Sequence, residues 1–276
     1  MTNGSDLARF LNLEPWSSLT FKAPQAALDA PGMLVWFERI MLAWLTSELY
    51  RGEGEIVELG VFIGSSTISL ASGLSLNKKV PADKLLKRIH AFDRFTGDYE
   101  CNWIRQNTKL KIGKDNNFLS AYRENIKNYE KYVDINAGDL CEKTWDKGDI
   151  EILFVDVLKA PALADKVVNE FFPSMMPGKT ILVMQDYLFH ILPYTVIVME
   201  HFADYFERAG DTWRNSVCYV NTKPIPAELM ASFKYTALPE ALRLHYLMEA
   251  LTKQRTFGHR ECVANLISDF ITNKFR

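Results

Sequence analysis

Five short apolar runs, each closing on glycine or aspartate with helical patterning between them, restrict this chain more than any other feature. They are 55–60 (EIVELG), 88–93 (RIHAFD), 132–139 (YVDINAGD), 151–156 (EILFVD) and 179–186 (KTILVMQD). Runs with so little polar alternation suit strands covered on both faces, the condition of a parallel sheet in an α/β protein. The run SSTISLASGLSL after the first strand restarts as a helix, and helical spacing recurs over 118–130, 160–175 and 193–209. The fold class predicted is therefore α/β, a doubly wound, mostly parallel, Rossmann-like sheet with helical additions at both ends. In such a sheet ligand chemistry gathers at the carboxyl ends of the strands.

A chain of 276 residues suits one α/β core with terminal additions. Residues 1–50 form a helical entry segment, punctuated by Pro15, Pro24 and Pro31 before a helix within 32–50. The core spans 51–225, with a sixth strand near 216–220, and 226–276 is a helical extension. The polar stretch 97–117 reads as a mobile lid or substrate loop. Its Tyr99 and Trp103, with Phe95 just before, either wall an acceptor pocket or anchor the loop. A formal charge of −2 with scattered lysines and arginines gives no stripe for nucleic acid. The four cysteines, without a Cys-x-x-Cys pair, argue against structural zinc and for reduced thiols. Without a basic leader or an apolar run of membrane length, the expectation is a cytoplasmic enzyme with no membrane partner. The amphipathic terminal helices suggest a homodimer.

Around the first strand-to-helix turn stand Glu58, Gly60 and Gly64. Glycine there lets the backbone bend sharply and come close to a ligand. Asp93 closes the second strand, where a carboxylate can accept hydrogen bonds from the vicinal hydroxyls of a ribose, so a nucleoside is implied. Phe62 occupies the middle glycine position of the dinucleotide fingerprint. A pyrophosphate needs close backbone approach at that point, whereas a nucleoside without phosphates does not. An NAD-dependent oxidoreductase is thus the weaker enzyme reading.

The segment ELGVFIGSS has the E-x-G-x-x-x-G-x-S form of motif I in class I methyltransferases and resembles that of the catechol and caffeoyl-CoA O-methyltransferases. The wider series IHAFDRFTGD, FVDVLKAPAL and PGKTILVMQDY is similar to the macrocin (TylF-like) sugar O-methyltransferases, over about 50–210. The resemblance implies O-methylation of a small-molecule acceptor, with Gly60, Phe62 and Ser65 along the methionine of S-adenosylmethionine. It also implies that Asp93 holds the ribose and that Gly138 and Asp139 flank the adenine. Asp156 would be a metal ligand and Lys159 the base, with Asp186 and Gln185 completing a Mg2+ site. Gln185 stands where the macrocin group has an acid, and a neutral amide lowers affinity for a hard cation. His190, just past the same strand end, is the base of a metal-free version. A non-catalytic module that binds S-adenosylmethionine is the reading from a different class.

Overall fold

The computed structural model describes residues 4–189, 191–212 and 215–272. Within them, strands β1 (Glu55–Leu59), β2 (Ile89–Asp93), β3 (Val133–Ala137), β4 (Ile150–Val155), β5 (Ile181–Met184), β6 (Phe206–Asp211) and β7 (Val217–Asn221) form one sheet. Its order is β3-β2-β1-β4-β5-β7-β6. β1, β2 and β3 run parallel, while β7 lies antiparallel to both β5 and β6. This is a mostly parallel, Rossmann-like arrangement. Flanking it are α1 (Gly4–Leu11), α2 (Gln25–Asp29), α3 (Trp36–Trp44), α4 (Ser65–Leu74), α5 (Asp98–Asn107) and α6 (Leu119–Ile126). α7 (Pro161–Lys166), α8 (Tyr194–His201), α9 (Ala227–Ser232), α10 (Glu240–Lys253) and α11 (Phe257–Ile271) complete the set.

Every residue of β4, β5 and β7 is buried, which is why those runs carry almost no polar residues. β3 has one neighbour, β2, and is half exposed at Asp134 and Asn136; polar side chains there discourage pairing with another chain. Two expectations change. Within 97–117, residues Asp98–Asn107 are helical, with Cys101 and Ile104 as the buried face. The helix expected over 193–209 ends at His201, and Phe206–Asp211 is an edge strand instead. His259 is buried on α11.

The chain forms two compact units. One is Pro15–Leu153. In it α3 crosses α4 so closely that a Cβ on Gly73 would collide with the Ala43 carbonyl. α3 then continues as a π turn, Leu45–Leu49, and Asn77 ties off the carbonyls of Thr46 and Tyr50. The Glu151 carboxylate collects the amides of Arg51, Glu53 and Gly54, fixing the turn that leads into β1. The other unit joins the chain up to Glu14 to everything from Phe154 onward. There α1 packs on β6 and β7, and the Arg208 guanidinium donates to Gln254 at 3.0 Å and Asp211 at 2.9 Å.

Candidate cofactor turn and acidic strand ends

In the Pro15–Leu153 unit, the chain leaving β1 enters left-handed backbone three times, at Gly60 (φ 85°), Phe62 (φ 49°) and Gly64 (φ 91°). Glycine adopts this region freely; phenylalanine does so only where its surroundings compel it. Asp93 supplies that constraint. Its Oδ2 accepts the Val61 and Phe62 amides, each at 2.9 Å, and its Oδ1 accepts the Phe95 amide at 2.7 Å. The Phe62 ring is held edge-on between Trp103 and Phe118, with centroids 5.4 and 5.8 Å away. Burial pushes the Asp93 carboxyl above the usual aspartate range, and the three amides pull the other way. Of the about four acceptor positions on a carboxylate, three are filled by those amides, leaving room for one hydroxyl and not for a vicinal pair.

Neighbouring groups close around this turn. The Gly138 amide donates to the Asp93 carbonyl at 2.9 Å, bringing the end of β3 beside it. The flexible end of Lys143 lies over Gly138, and Asp139 caps the following turn by accepting the Cys141 amide at 2.9 Å. Glu58 is fully buried beneath the turn and accepts from Thr67 Oγ1 at 2.8 Å, and the Tyr122 hydroxyl donates to the same Thr67 oxygen at 3.2 Å. Glu58 thus supports the turn from inside the fold. Gly64 faces protein as well: an added Cβ would stand 2.7 Å from Ile126 Cγ2 and 3.0 Å from the Tyr122 ring.

Ser65, the first residue of α4, is 4% exposed. Gly32 of the entry segment covers it, and a Cβ at Gly32 would collide with Ser65 Oγ. Arg39 holds that strap by donating to the carbonyls of Leu28 (3.0 Å) and Gly32 (3.4 Å). On the far side, Asn125 Nδ2 donates to the Ile63 carbonyl at 2.6 Å. Gly32, Arg39 and Asn125 escaped sequence reasoning; Pro31 was visible only as punctuation of the entry segment. Phe95 is a core residue packed on Phe118 and Tyr122, so it walls no pocket.

In the other unit, Asp156 follows β4 and its Oδ1 lies 3.1 Å from Lys159 Nζ, with the lysine side chain 54% exposed. The Gln185 amide donates to the Val155 carbonyl at 3.0 Å, joining the ends of β4 and β5. Its side chain is 6% exposed, and Oε1 has no hydrogen-bond partner among the described residues. Asp186 sits in left-handed backbone, φ 59°. His190 lies outside the described residues. The donor set does not suit Mg2+, which seeks several anionic oxygens. Asp156 already faces an ammonium, Gln185 is neutral, and no group of three or more His, Cys, Asp or Glu side chains among the described residues could hold a metal. The Mg2+ centre expected at Asp156, Gln185 and Asp186 is therefore not supported. The structure gathers Gly60, Phe62, Gly64, Ser65, Asp93 and Gly138 around one turn, and pairs Asp156 with Lys159 separately.

No protein-family model matches the chain, and no curated protein matches it. Among solved structures it is similar to a SAM-dependent O-methyltransferase from Thermotoga maritima, at 12% identity and a TM-score of 0.44, over 74% of this chain and 73% of that one. It is also similar to the pyocyanin biosynthetic protein PhzM, at 11% identity and a TM-score of 0.41. That match takes in 66% of this chain but spans only 54% of PhzM. Likeness at this level carries no weight for function, so the architecture stands on its own sheet order: a mostly parallel, seven-stranded, Rossmann-like sheet whose last strand runs backwards.

Proposed function

We propose that this protein is an S-adenosylmethionine-dependent O-methyltransferase acting on a hydroxyl of a small acceptor, related in kind to the macrocin and catechol groups. The observation that carries the reading is the left-handed turn at 60–64, pinned by Asp93 at the carboxyl ends of parallel strands. A dinucleotide would need bare backbone at position 62 for its pyrophosphate. A phenylalanine packed between Trp103 and Phe118 stands there instead, which favours a nucleoside carrying no phosphate. Gly138, overlain only by the movable end of Lys143, leaves space that an adenine can claim.

When bound, S-adenosylmethionine supplies an activated methyl group, so the protein's remaining task is to orient the acceptor oxygen and take its proton. In this reading Asp156 and Lys159 share that task without a metal, one as proton acceptor and the other as counter-charge. Positioned acid–base groups contribute about 10²- to 10⁴-fold. The test is a thermal-shift and turnover comparison. The wild type should be stabilised by S-adenosylmethionine and not by NAD, and Asp156→Ala should keep that shift while losing about 100-fold or more in turnover. Stabilisation by NAD alone would support the oxidoreductase reading. Cofactor binding with no S-adenosylhomocysteine released from any acceptor would leave a binding module.

A further inference from the structure

A cleft of about 700 Å3 opens on the Pro15–Leu153 unit, between the entry strap, the stretch following α5, and α6. Its volume is that of a small-molecule site. Two of its walls are fastened to the cofactor turn: Pro31 adjoins Gly32, which lies on Ser65, and Asn125 holds the Ile63 carbonyl. The cleft's charges are unevenly committed. Asp29 accepts from Gln25 at 2.9 Å, and Glu124 is paired with Lys127 at 2.7 Å. Lys109 and Lys111 also line the cleft, and neither ammonium has an ion pair or hydrogen bond among the described residues. Thr108 anchors their stretch, donating to the Ile104 carbonyl at 2.9 Å and accepting the Leu110 amide at 3.1 Å.

We propose that this cleft binds an anionic small molecule. Its oxyanion, a carboxylate or a phosphate, is held by Lys109 and Lys111, and its apolar part rests on Pro31 and Leu110.

Calorimetric titration of the full chain with inorganic pyrophosphate and with citrate, with and without saturating S-adenosylhomocysteine, tests the site. At least one probe should bind the wild type, and the Lys109→Ala/Lys111→Ala variant should bind it about tenfold or more weakly, since charge-assisted bonds are lost. Lys109→Arg/Lys111→Arg should retain binding. Preference between the two probes separates phosphate from carboxylate. Absence of binding by both probes to the wild type, or equal binding by the alanine variant, overturns the proposal. S-adenosylhomocysteine affinity is read in the same titrations, so a wild type that binds the anion but not the nucleoside defeats the methyl-transfer reading and leaves the cleft standing.

Discussion

Asp93 spends most of its hydrogen-bonding capacity on the backbone above it. A carboxylate at that strand end was legible in the sequence, because the apolar run 88–93 closes on it. Its partners Val61 and Phe62 were not, since they depend on a distant loop turning left-handed at Gly60, Phe62 and Gly64. Removing it should therefore act twice, by freeing the Val61, Phe62 and Phe95 amides and by deleting an acceptor for the ligand. Charge-assisted bonds of this sort contribute about 1.5–3 kcal/mol each. Asp93→Ala should weaken S-adenosylmethionine binding at least about tenfold and lower the unfolding midpoint as well, both measurable by calorimetry. Unchanged affinity would refute the role of the turn. Phe62 was equally visible as a departure from a glycine pattern, yet its clasp by Trp103 and Phe118 was not, because both aromatics lie far along the chain.

Buried strands announced themselves, and edge or amphiphilic elements did not. β6 pairs only with β7 and alternates weakly, so its residues continued the helical spacing of α8 instead of breaking it. α5 buries only Cys101 and Ile104, too narrow a face to stand out in a polar stretch. α4 shows the opposite case: it is apolar or small throughout and every residue is buried, so its start after Gly64 was easily placed. Gly64 joins α4 to α6 at a distance that admits no side chain. Gly64→Ala would strain left-handed backbone and press on Ile126 and Tyr122, costing about 1–3 kcal/mol. Urea unfolding should show the loss, and a midpoint equal to the wild type would mean that the two helices can separate at no cost.

At the scale of the molecule, the apolar runs closing on glycine or aspartate indicated an α/β protein with a mostly parallel sheet, and the strand order agrees. No helix among the described residues is long and apolar enough to cross a membrane. The metal expectation came from likeness to other enzymes, and no group of three or more His, Cys, Asp or Glu side chains among the described residues supports it. Turnover should accordingly persist after exhaustive EDTA treatment, whereas a metal-dependent reaction would stop and resume on adding Mg2+.

The strap that lays Gly32 on Ser65 also carries Pro31 into the cleft wall. A ligand admitted beside Ser65 would have to move Gly32, and with it the adjoining Pro31, so filling either position would alter the shape offered at the other. Such linkage is reciprocal by thermodynamic necessity, so each of two ligands would change the affinity for the other by the same factor.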